Sequence, residues 1–151
     1  MSTNAIVLLI AVIVSVDVLV FALLLGRSRR RAAALRDALV QSGEIPSLGP
    51  ETAVYQGGGA MVSTKTYGVI ALTDRRIIFQ QPVGGNIEVP LDQITGLSEG
   101  KWFKGNYRSG KTFLILRLRD GQEMGFVVSD HNRWMEELAA KTGVRPSAEP
   151  A

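Results

Sequence analysis

The sequence predicts an α+β fold: an N-terminal transmembrane helix, then a seven-stranded β-barrel or sandwich capped by a C-terminal helix. Three observations predict it. The run from Ala5 to Leu25 is apolar at 19 of its 21 positions, the exceptions being Ser15 and Asp17. Beyond Pro50 the apolar residues come in short alternating runs broken by Gly, Pro, Asn and Asp, which is the punctuation of strands. Before the tail the spacing turns helical again, with Trp134, Met135 and Leu138 along one stripe.

A helix the length of the apolar run reaches roughly 30 Å, the thickness of a bilayer's hydrocarbon core. No charged side chain precedes it, whereas Arg27, Arg29, Arg30 and Arg31 follow it. That asymmetry predicts a single-pass anchor in the plasma or inner membrane, N-terminus outside and C-terminal domain in the cytoplasm. A cleavable signal would carry its charge first, so the anchor is expected to stay. The same arginines are candidate contacts for anionic lipid, although setting the topology is role enough for them. AAALRDALVQ extends the helix toward Gly43, with Leu35, Leu39 and Val40 along one side. The organisation read from this is an anchor with its helical extension over 1–43, a linker over 44–50, a domain over 51–143 and a flexible tail over 144–151.

Within the domain, TAVYQG is the first strand, and Tyr67 to Leu72 and Arg76 to Gln81 form a hairpin about Thr73-Asp74-Arg75. Ile87 to Leu91 and Ile94 to Ser98 follow. Thr112 to Arg119 sets Leu114, Leu116 and Leu118 on one face and Phe113, Ile115, Arg117 and Arg119 on the other. Asp120-Gly121 turns the chain into Glu123 to Val128. The closing helix starts at Ser129 or Asp130 and ends at Gly143. Leu72, Ile77, Phe79, Leu91, Ile94 and Leu114 are the expected core, with the helix of Trp134 closing one end.

Seven strands and a C-terminal helix, together with YGVIALTDRRIIF (Tyr67 to Phe79), IEVPLDQITGLS (Ile87 to Ser98) and a Trp in the last helix, resemble the bacterial PH-like and GRAM-like families. The resemblance implies a binding module on a single-pass anchor. Its motifs are turns and packing positions, so they speak to fold more than to function. Phosphoinositide-binding members place several basic residues around the first hairpin, whereas Gly57 to Tyr67 here carries Lys65 alone.

Composition narrows the function further. From Arg27 to Arg36 there are five arginines and no acid, but from Glu51 onward twelve Lys and Arg face eleven Asp and Glu. A nucleic-acid function would need a basic stripe on the folded domain, and this nearly neutral count speaks against one. One histidine, His131, and no cysteine leave no Cys/His metal site and no thiol nucleophile. No phosphate loop, nucleophile elbow or dinucleotide fingerprint occurs. The expectation is a protein that is not an enzyme and holds no cofactor or metal.

Two stretches carry the candidate contacts. On a helical wheel Ala11, Ser15, Ala22 and Gly26 lie within about 60° of one another, and Asp17 lies about 240° around from Ala11. Small side chains admit a neighbouring helix, and a carboxylate amid apolar residues needs a donor or cation. These five residues are the expected contacts with a hetero-oligomeric membrane protein partner. The second stretch, Lys101 to Lys111, mixes Lys101, Lys104, Arg108 and Lys111 with Trp102, Phe103 and Tyr107. Such a mixture suits an anionic lipid interface, or it is a soluble hairpin whose aromatic residues pack inward. The expected function is an accessory or interaction subunit of a larger membrane complex, with a peripheral sensor of anionic headgroups through residues 101–111 as the alternative.

Overall fold

Leu35 and Leu39, one turn apart and both buried, fix where the first helix meets the sheet. In the computed structural model, which describes residues 3–57, 64–107 and 110–148, that helix is α1 (Thr3–Gln41). It is followed by strands β1 (Leu48–Gly57), β2 (Thr64–Leu72), β3 (Arg76–Gln80) and β4 (Ile87–Pro90). A 3₁₀ turn over Leu91–Gln93 leads to β5 (Ile94–Gly100), then to the short β6 (Trp102–Phe103) and β7 (Asn106–Tyr107). The chain ends with β8 (Phe113–Leu118), β9 (Glu123–Val127), α2 (His131–Thr142) and β10 (Pro146–Ala148).

Eight strands form one mixed sheet in the order β10-β5-β8-β9-β1-β2-β3-β4, and β6 and β7 form a small hairpin of their own. All the pairings in the large sheet are antiparallel except β10 on β5. The sheet wraps a single core. Leu72, Ile77, Phe79, Val89, Leu91, Ile94, Leu97, Leu114, Leu116 and Phe126, drawn from strands far apart in that order, share one buried cluster with Trp134 and Leu138 of α2. Tyr55, Phe79 and Phe126 meet at ring centroid distances of 5.3 to 5.8 Å at its centre. Asp130 caps α2 by accepting from the Arg133 amide at 3.1 Å, and Gly143 ends it at φ 71°, a left-handed conformation suited to glycine.

The opposite face of the sheet is covered in two places. Leu35 and Leu39 of α1 lie over Val69, Ala71 and Ile78, the residues of β2 and β3 that alternate with the core set. The β6–β7 hairpin folds over β8 and β9, burying Phe103 with Val54, Phe113, Ile115 and Val127. Gly125 makes that approach possible, because a Cβ there would lie 2.5 Å from the Phe103 ring. The stretch after α1 is latched as well. Glu44 accepts from Arg76 at 2.5 Å and from Thr73 Oγ1 at 2.9 Å, and Thr73 Oγ1 in turn accepts from the amides of Arg75 and Arg76.

Several expectations need correction. Among the described residues no helix is long and apolar enough to cross a membrane, so the transmembrane anchor falls, and with it the single-pass topology and inner-membrane localisation. The apolar run is not a separate span. It is one end of a continuous helix that carries on through the arginines and packs its far end onto the domain. The fold is therefore an eight-stranded mixed sheet with a two-stranded hairpin and a C-terminal helix, in place of an anchored seven-stranded barrel. Val40 is exposed rather than aligned with Leu35 and Leu39. The tail is not wholly loose, since Pro146–Ala148 adds a parallel strand beside Leu97 to Glu99.

Candidate binding groove and projecting helix

Between the two covers, a strip of the outer face stays open. Strand register sets Val54 opposite both Tyr67 and Val127, and Thr52 opposite Val69, so these side chains share one surface across β2, β1 and β9. A cleft of about 180 Å³ lies at the α1 side, lined by Arg27, Arg31, Thr52, Ala53, Tyr67, Gly68, Val69 and Pro82. A second, of about 270 Å³, shares Thr52, Ala53 and Tyr67 with it and adds Lys111, Val127, Val128 and Ser129. A third, of about 460 Å³, shares Lys111, Val128 and Ser129 with the second and reaches His131, Asn132 and Glu99. Through these shared residues the three clefts lie in a row along this face and make a grooved surface.

The electrostatics of this groove are one-sided. Arg27, Arg31 and Lys111 line its first two clefts, and among the described residues no acid does. Lys65 Nζ sits 5.2 Å from the centroid of the exposed Tyr67 ring. Glu99, at the far end, is engaged by His131 Nε2 at 2.7 Å. His131 Nδ1 is buried without a partner among the described residues.

The arginines expected to act together are split. Arg27 and Arg31, four apart and so on one helix face, line the groove, whereas Arg29 and Arg30 are exposed outside it. Loop 101–111 divides too. Phe103 is a packing residue; Trp102 and Tyr107 are 62% and 52% exposed and lean on each other with centroids 4.9 Å apart. Lys101 and Lys104 are exposed, Lys104 at φ 46° with its ammonium 5.5 Å from the Phe103 ring, and Arg108 lies outside the described residues. Among the described residues of that loop, Lys111 is the cation that reaches the groove, with Gly110 beside it. Thr52, Tyr67 and Ser129 were not expected there. The alternation that places Thr52 on β1 and Tyr67 on β2 is visible in the sequence, but the face they share depends on register, and Ser129 joins them from the turn after β9.

The projecting part of α1 is the second feature. Val12, Ile13, Val14, Val16, Val18, Val20 and Leu23 are each between 48% and 65% exposed. At about 100° per residue they span about 240° of the helix circumference. Asp17 is exposed among them, as is Ser15; Gly26 is half-buried, and the side chains of Ala11 and Ala22 lie outside the described ones.

The chain is similar in structure to the C-terminal domain of an unknown protein from Leishmania infantum, at 10% identity and a TM-score of 0.51, covering 73% of this chain and 95% of that one. At that identity the likeness speaks to fold alone. No protein-family model and no curated protein matches the chain.

Proposed function

We propose that this chain is a non-catalytic, PH-like binding module that serves as an accessory or interaction subunit of a larger protein assembly, joined to it through the projecting half of α1. The observation that carries this reading is the apolar surface from Val12 to Leu23, exposed over most of the helix circumference. A helix apolar around so much of its surface is a buried helix in its assembled state. Helices from a partner protein are the occupant that fits. They can cover an apolar surface and also bring Asp17 a donor or cation, without which its carboxylate would not be tolerated in an interface.

Val16→Asp with Val18→Asp should break such an interface outright, because each puts an unpaired charge into it. Asp17→Leu should also release the partner, by leaving the partner's own cation or donor unmatched. Retention of the partner by both variants at unchanged stoichiometry refutes the reading. A second reading, contact with anionic headgroups, is favoured by the exposed Trp102–Tyr107 pair beside Lys101 and Lys104. It predicts binding to phosphatidylserine vesicles that Lys101→Gln with Lys104→Gln removes.

A further inference from the structure

We infer that the groove between α1 and the β6–β7 hairpin takes an extended, acidic polypeptide segment from a protein partner. The inference stands on the groove and not on the projecting helix, so either can fail alone.

Shape comes first. The three clefts adjoin in a row through shared lining residues, which makes an elongated surface and not a single pocket. An extended chain advances about 3.3 Å per residue and fits such a surface, with alternate side chains facing the floor. A bilayer surface cannot enter a recess floored by strand residues. β1 is flanked by β2 along its length and by β9 from Val54 to Gln56, so the guest lies across the sheet face.

Charge comes second. Arg27 and Arg31 stand over one end and Lys111 over the junction with the third cleft. Among the described residues no carboxylate pairs with any of the three. Three cations elsewhere in the fold are matched: Arg76 by Glu44 and Glu88, Arg117 by Glu123, and Lys141 by Asp74. Arg27, Arg31 and Lys111 therefore present their charge to whatever enters the groove, and complementary charge across an interface is what guides a partner into register.

Chemistry of the floor comes third. Pro82 and the exposed Tyr67 ring give apolar contact above the buried Val54, Val69 and Val127, while the exposed Thr52 adds a hydroxyl. That is an amphipathic floor, matched by a segment in which acidic residues alternate with small apolar ones.

The test uses the full chain and a fluorescein-labelled peptide with Glu at alternate positions, read by fluorescence anisotropy. Saturable binding is expected, weakening as salt rises. Reversal of charge at Arg27, Arg31 and Lys111 (each to Glu) should weaken it about tenfold or more, since each exposed pair contributes a modest amount and three act together. Replacing Glu by Gln in the peptide should do the same, and Asp17→Leu should leave the binding unchanged. Thr52→Trp, which fills the floor without altering charge, should also weaken it; its intrinsic fluorescence and that of Trp134 report that the variants are folded. Equal binding of the Glu and Gln peptides, or binding indifferent to both sets of variants, overturns the inference. So does the absence of peptide binding, and so does binding to phosphatidylserine vesicles that depends on Arg27, Arg31 and Lys111 when the peptide does not bind.

Discussion

The indole Nε1 of Trp134 donates to Glu51 Oε1 at 3.1 Å, joining the last helix to the first strand across 83 positions of sequence. The same carboxylate accepts from the Ser129 amide at 2.9 Å and from its hydroxyl at 2.6 Å. Glu51 thus anchors both the start of α2 and the residue that plugs the core. Trp134→Ala should destabilise the protein by about 3–5 kcal/mol, because a fully buried ring leaves a cavity that little can fill. Trp134→Phe should cost less, about 1–3 kcal/mol, losing mainly the hydrogen bond and part of the ring. Urea unfolding of the full chain gives both values. A cost below about 1 kcal/mol for the alanine variant would contradict the plug.

The docking of α1 makes a separate claim. Leu39→Ala should cost about 2–5 kcal/mol, since Leu39 is buried against Val69, Ala71 and Ile78. Val40→Ala, one residue on and exposed, should be nearly neutral. A chain beginning at Glu51 should therefore be less stable than the full one, and equal stability would show that the docked turns contribute nothing.

Gly125 tests the hairpin that covers β8 and β9. Gly125→Ala should destabilise by about 1–3 kcal/mol, the added methyl displacing the Phe103 ring. Combined with Phe103→Ala the two costs should fall short of additive, because the second change removes what the first collides with. Strict additivity would place the clash elsewhere.

Much of this fold was legible in the residues, and the missing parts have a common cause. Alternation from Tyr67 to Leu72 and from Thr112 to Arg119 located strands, and Trp134 announced the buried side of α2. What alternation leaves open is which cover lies on each face. Phe113 and Ile115 are as buried as Leu114 and Leu116, so β8 is apolar on both faces and requires two covers. The hairpin with Phe103 is the second of them, which is why an aromatic and basic loop yielded one packing residue and two exposed rings. The groove was hidden for a related reason. Thr52 and Tyr67 share it only in the register that pairs Val54 with Tyr67, and a one-residue slip would turn either strand over. The length and apolar composition of the first stretch, with the arginines after it, made it read as an anchor, whereas the structure continues it as an arm of the domain.

The latch at Glu44 predicts a pH dependence. The Arg76 guanidinium, hydrogen-bonded to it, holds the Glu44 carboxyl below its ordinary value of 4.5, with Thr73 assisting against the opposing effect of burial. A carboxyl with a depressed folded value stabilises fully above the unfolded value and loses that contribution as pH falls through the folded one. Stability of the wild type should therefore decline more steeply below pH 4.5 than that of Glu44→Gln, whose latch is neutral throughout. Parallel declines in the two proteins would remove the latch from the account.

Purification of the tagged full chain from the cells that make it tests most directly whether a partner protein buries the exposed apolar half of α1. Native mass spectrometry should find the wild type with a partner at fixed stoichiometry, and should find Val16→Asp with Val18→Asp as the free chain. Cysteines placed singly at Val14 and Val20 should resist a soluble alkylating reagent in the wild-type complex and react in that variant. A wild-type chain recovered alone, with both positions reactive, would contradict that burial.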